Sequence, residues 1–170
     1  FKKDEDDLQT AAVRKLVELK KETTERTAKN PARYGKFSER IQKLIEAFQQ
    51  GLIDAAEVMG QAKETAEAVQ AEDRAFEESG LSELAYDVLK ILERFAADST
   101  EADALHDAAA QIDTLYTTDE DASSYWQDKS QSRKKLLRKV RRLVKDLGLP
   151  DWNAFKTHMD EFAVRHYAKP

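Results

Sequence analysis

The chain has 170 residues, 28 Lys or Arg against 33 Asp or Glu, a net charge of -5, 41% hydrophobic residues and no cysteine. That length suits one domain with its own core, and this apolar content excludes a disordered tail. The lack of cysteine excludes disulfides, thiolate metal sites and a cysteine nucleophile.

Five glycines and three prolines lie between periodic segments, which reads as helices joined by short connections. No segment alternates apolar and polar residues as a strand does. We therefore expect an all-α fold, an irregular bundle of about seven helices in a single domain. The first helix is predicted over 5–29, with Leu8, Ala12, Leu16 and Leu19 as its stripe and Val13 and Val17 beside it. Asn30-Pro31 stops it, because proline disfavours a helical predecessor. The second is predicted over 38–50, capped by Ser38, with Ile41, Leu44, Ile45 and Phe48 buried and Gly51 at its end. The third starts near Asp54, which has capping-box spacing to Glu57. Met59, Ala62, Ala66, Val69 and Phe76 line it, and Gly80 closes it.

A fourth helix follows Ser82, with Leu84, Val88, Ile91, Leu92 and Phe95 inward. A fifth follows Ser99 or Thr100 and shows Leu105, Ala108, Ala109, Ile112, Leu115 and Tyr116. Residues 117–126, TTDEDASSYW, read as an acidic loop, with Ser124 and Gln127 spaced as a second capping box. The sixth helix is basic and ends at Gly148-Leu149-Pro150. The seventh begins after Asp151 and presents Trp152, Phe155, Met159 and Phe162.

The basic segment sets this chain apart. Nine Lys or Arg and no acid lie between Lys129 and Lys145, so the rest carries 19 cations against 33 acids, or -14. Leu136, Leu137, Val140, Leu143, Val144 and Leu147 form one apolar stripe. Lys134, Arg138, Arg141 and Lys145 share one flank, and Lys135, Lys139 and Arg142 share the next. Each like-charge pair at i, i+4 costs about 0.2–0.5 kcal/mol, so this helix tolerates repulsion over three turns. Such a field attracts polyanions locally while the acidic remainder keeps the domain soluble. Three readings are open: a solvated helix neutralised by neighbouring acids such as Asp119-Glu120-Asp121, a DNA or RNA backbone contact, or a membrane surface. The stripe lacks the Trp or Phe anchors of interfacial helices, since Trp126 and Trp152 flank it.

Catalytic constellations do not assemble. Asp103 and His106 make one i, i+3 pair, which reads as a surface hydrogen bond. His166 continues the apolar face of the last helix and reads as a half-buried structural histidine, and His158 has no assigned place. Asp119-x-Asp121-x-Ser123 lacks the glycine and glutamate of a calcium loop. Glu72, Asp73, Glu77 and Glu78 read as a solvated helix surface. Phosphate-binding, dinucleotide and nucleophile-elbow motifs are absent. We expect no catalysis and no cofactor in this chain by itself.

No apolar run approaches the about 20 residues that span a bilayer, and FKKDEDDLQT lacks the apolar segment of a signal peptide. A cytoplasmic setting with no membrane partner is therefore expected. The chain begins with Phe1 rather than Met, and we expect it to be a piece of a longer protein.

Several short stretches together carry a resemblance. Asn30-Pro31 with YGKFSERIQKLI (34–45), QGLIDAA (50–56) and ESGLSELAY (78–86) come first. Trp126, Arg133-x-x-Leu136, Val140-Arg141-Arg142-Leu143 and Gly148-Leu149-Pro150 follow in order. This series resembles the C-terminal helical region of the motor (restriction) subunit of type I restriction-modification enzymes. It covers roughly 30–165. Leu149 replaces the family's usual tyrosine, and the acidic insertion before Trp126 departs from the pattern. The resemblance implies a lead-in helix over 1–29 and the C-terminal helical domain over 30–170. It implies a parent subunit that is an ATP- and Mg-dependent DNA translocase and endonuclease, docked on a methyltransferase core of modification and specificity subunits. This region would assist assembly with that core and with the remaining domains of the same subunit, and contact DNA without sequence preference. Arg133, Lys134, Lys135, Arg138, Lys139, Arg141, Arg142 and Lys145 would then face DNA phosphates. The alternative is a purely protein-interacting helical module with no DNA contact.

Overall fold

A computed structural model describes residues 2–170; Phe1, the first residue of the expected 1–29 lead-in, lies outside them. The described residues form seven α-helices and two short 3-10 turns, with no strand. The all-α, seven-helix expectation holds. The helices are α1 (Lys2–Lys29), α2 (Pro31–Gln49), α3 (Ala55–Ser79), α4 (Glu83–Phe95), α5 (Ala102–Thr118), α6 (Ser130–Val144) and α7 (Trp152–His166). The 3-10 turns, Trp126–Asp128 and Lys145–Leu147, bracket α6. None of these helices is long and apolar enough to cross a membrane. The described residues fold into two compact units, one running up to Glu78 and the other from Ser79 to Pro170.

In the first unit, Ala12, Leu16 and Leu19 of α1 pack with Ile41 and Leu44 of α2 and with Ala55, Val58 and Ala62 of α3. The small alanines leave room for close helix approach. Val58, which the sequence reading passed over, is fully buried. Val13 and Val17 lie about 100° around α1 from Ala12 and Leu16, and they stay exposed at 50% and 62%. Leu8, placed on the stripe by periodicity, is also 40% exposed.

The second helix starts seven residues earlier than expected, at Pro31 rather than Ser38. Asn30 both closes α1 and opens α2. Its backbone N–H donates to Arg26 O at 2.9 Å, and its side chain accepts from Arg33 N at 3.0 Å. Proline at the first helical position lacks only an N–H that has no intrahelical partner anyway. Ser38 therefore sits inside the helix. Replacing Asn30 by alanine removes the cap and should lower stability by about 1 kcal/mol. A denaturant titration reads this as an earlier midpoint with unchanged slope.

Asp73 is not simply a solvated acid of α3. Its carboxylate accepts from Arg26 of α1 at 2.6 Å and from the Tyr34 hydroxyl of α2. Burial alone would raise the Asp73 carboxyl, but these hydrogen bonds outweigh it and hold the group below its ordinary value. Nearby, the Arg33 guanidinium lies 4.6 Å from the centre of the Phe76 ring.

The second unit closes a ring of four helices, in which α4 packs on α5 and α7, and α6 packs on α5 and α7. Its core joins Tyr86, Val88 and Leu92 to Ile112, Tyr116, Leu136, Val140, Phe155 and Met159, all buried. Caps at three helix starts follow the sequence. Asp54 accepts from Glu57 N at 2.8 Å, Ser82 from Ala85 N at 3.2 Å and Asp151 from Ala154 N at 3.1 Å. Two do not. Glu101 precedes α5 without a side-chain cap. Ser124 and Gln127 form no capping box, because Trp126–Asp128 is a 3-10 turn and α6 begins only at Ser130.

The histidines settle differently from expectation. His106 Nε2 lies 2.7 Å from Ser79 O rather than bonding Asp103. His158 packs 5.7 Å from the Phe95 ring. His166 is exposed, not half-buried, with its ring tilted against Phe162 at 4.6 Å.

Candidate functional site

The segment before α6 is strapped from the end of the chain. Trp126 is fully buried, its Nε1 donates to Tyr167 O at 3.0 Å, and its ring lies 5.4 Å from that of Tyr116. Gln127 donates to Lys169 O at 2.9 Å and accepts from Lys169 N at 3.1 Å. Lys169 Nζ in turn donates to Thr117 O and Ala122 O, both at 2.6 Å. Such paired bonds fix where α6 begins. Gly148, at φ +62, ends the 3-10 turn that follows α6, because the left-handed region suits a residue without a Cβ.

Between these ends α6 buries Leu136, Val140 and Val144, with Leu147 in the following turn. Lys134, Lys135, Arg138, Arg141, Arg142 and Lys145 are all exposed. At about 100° per residue, these six cations fall within an arc of roughly 120°, opposite the buried stripe. From Lys134 to Lys145 the array runs about 16 Å along the helix axis. Arg141 adds an aromatic contact, its guanidinium 5.2 Å from the centre of the Trp152 ring.

Two of the eight expected site residues are already held by carboxylates of the same unit. Lys139 sits between Asp119 at 2.7 Å and Asp121 at 2.8 Å. Arg133 pairs with Asp160 of α7. Hydrogen bonds to Asp119 and Asp121 raise the Lys139 ammonium above the ordinary lysine value. The Asp160 hydrogen bond likewise raises Arg133. Burial pushes the Asp119 carboxyl up, but the bonds from Lys139 and the Asp121 N–H bring it below its usual value. The acidic loop as an internal partner, anticipated from sequence, is thus real for Lys139. Asp160 was not anticipated, since it lies 27 residues beyond Arg133 with no local signal joining them.

The structure thus divides the eight residues. Six form one open cationic face, and Arg133 and Lys139 flank it, tied to acids on either side. The face has no nucleophile and general-base pair of its own. It is suited to holding a polyanion through several point charges.

No curated protein and no solved structure gives a significant match to the chain. The family model described as type I restriction enzyme HindI endonuclease subunit-like, C-terminal, matches residues 1–159. With that match over nearly the whole chain, this protein belongs to the family of C-terminal regions of type I restriction endonuclease subunits.

Proposed function

We propose that the second unit contacts nucleic-acid backbone through α6, as an accessory element of a type I restriction complex. The observation that carries this reading is the row of six exposed cations, Lys134, Lys135, Arg138, Arg141, Arg142 and Lys145, rooted by a buried aliphatic stripe. Duplex DNA carries one phosphate charge per about 1.7 Å of axis, so phosphates outnumber these cations along the array. Point charges of this kind position a duplex without reading its sequence. In the parent enzyme the contact would help hold DNA during ATP-dependent translocation and cleavage. Other surfaces of the chain would serve assembly with the modification and specificity subunits and with the rest of the motor subunit. The chemistry of ATP and Mg belongs to those other domains.

Salt dependence is the test. Six phosphate contacts predict that log K falls with log salt at a slope near about -5. A slope near zero, or no binding at low salt, rejects the reading. The acidic loop supplies an internal control. Changing Asp119 and Asp121 together to asparagine frees Lys139 as a seventh contact. The slope should then steepen by about one, with affinity up about 8-fold at 0.1 M salt.

The carboxylate contacts of Arg133 and Lys139 favour a second reading, in which the same face docks an acidic protein surface. Charge reversal of Arg138 and Arg142 that abolishes assembly with the methyltransferase core, while DNA affinity stays intact, selects it.

A further inference from the structure

Tyr125 stands just before the turn that leads into α6, and it is 58% exposed. It is also the one non-glycine residue with positive φ among the described residues, at +58°. That conformation is disfavoured for a bulky L-residue, whereas glycine or asparagine adopt it readily. A tyrosine here therefore exposes apolar ring and strains its own backbone at once. Its surroundings hold it there. Tyr125 N donates to Lys169 O at 2.9 Å, and Asp128 N donates to Tyr125 O at 3.0 Å. Lys129 Nζ donates to Ser124 O at 2.9 Å, tying the preceding residue to the start of α6. The ring is thus presented from a braced backbone, which lowers the ordering cost of a contact. Its neighbour in sequence, Trp126, is by contrast fully buried.

We infer that Tyr125 is a stacking platform for an unpaired base at the N-terminal end of α6, giving the site a preference for single-stranded nucleic acid over blunt duplex. This rests on the phosphate-contact reading above. Continuity is what selects a base as the occupant. The Lys129 bond to Ser124 O sets this turn against the start of α6, so a strand running along α6 towards its N-terminus arrives at Tyr125. Stacking on an aromatic ring tolerates any base, as does phosphate contact.

The experiment compares a 20-nucleotide oligo(dT) with a blunt 20-base-pair duplex by fluorescence anisotropy. It uses the whole chain and its Tyr125→Asn and Tyr125→Phe variants. Asparagine suits the left-handed backbone, so Tyr125→Asn should melt no lower than the wild type while lacking the ring. Its affinity for the single strand should fall about 5- to 150-fold, with an unchanged salt slope, because no ionic contact is lost. Phenylalanine should restore wild-type affinity. Wild-type single-strand affinity in the Asn variant overturns the inference, as does an equal loss on the single strand and the duplex. Failure of the phosphate reading looks different: a salt slope near zero in the wild type itself.

Discussion

Replacing Lys134, Arg138 and Arg142 together by glutamine is expected to weaken DNA binding about 500-fold at 0.1 M salt, because each phosphate contact contributes about 0.9 log units there. The loss should shrink steadily as salt approaches 1 M, where counterion release no longer favours binding. The salt slope should fall by about three contacts' worth, from about -5 to about -3. All sequences should be affected alike, since these groups position rather than read. These three are exposed, and among the described residues no ion pair holds them; the Arg141 guanidinium, by contrast, rests on Trp152. The fold should not suffer. Lys134 with Arg138, and Arg138 with Arg142, are like charges at i, i+4, and removing each repulsion is worth about 0.2–0.5 kcal/mol. A variant that melts as high as the wild type yet keeps its DNA affinity would show that this face touches something other than phosphate.

The largest loss of stability is expected at Trp126. Truncation to alanine removes the largest fully buried side chain. It also removes the ring contact with Tyr116 and the bond to Tyr167 O. Large-to-small changes at such sites cost about 3–5 kcal/mol. Phenylalanine should recover most of the packing, leaving mainly the lost hydrogen bond at about 0.5–1.5 kcal/mol. Denaturant melts should therefore rank wild type, Trp126→Phe and Trp126→Ala in that order, with the alanine variant well separated. A small loss in Trp126→Ala would mean that the strap from Tyr167 to Lys169 holds the start of α6 without the indole.

The buried tyrosines around Trp126 follow the same logic. Burial raises the Tyr116 hydroxyl well above the ordinary tyrosine range. Burial, together with the Asp113 carboxylate that its hydroxyl bonds at 2.6 Å, does the same for Tyr167. Both stay neutral at any pH at which the fold is used, so this end of the bundle gives no tyrosine-driven pH response.

Local chemistry made much of the fold legible. Asp54, Ser82 and Asp151 cap where the sequence put them, because a cap needs only a side chain and an N–H three residues on. Leu136, Val140 and Val144 of α6 are buried where periodicity placed them, since one apolar face suffices to orient a helix. In α4, Val88, Ile91 and Leu92 are buried as expected, but Leu84 and Phe95 are only half-buried. Ala85, Tyr86, Asp87 and Leu89 are buried as well, because α4 packs on both α5 and α7. The start of α2 was missed because Asn30-Pro31 carries two signals. Read as a stop for α1 it hides its role as the cap and first residue of α2.

By itself, the sequence determined that the chain is all-α, that its cations gather on one helix, and that their apolar neighbours root that helix. Those properties depend on residues within a turn or two of each other. Only the tertiary structure decided which cations are available. Asp160 reaches Arg133 across 27 residues, and the 119–121 loop reaches Lys139 across about 20, because α5 and α7 pack beside α6. Ion pairing depends on distance in space, so spacing along the chain could name eight candidates but could not separate the two held ones from the six that face outward.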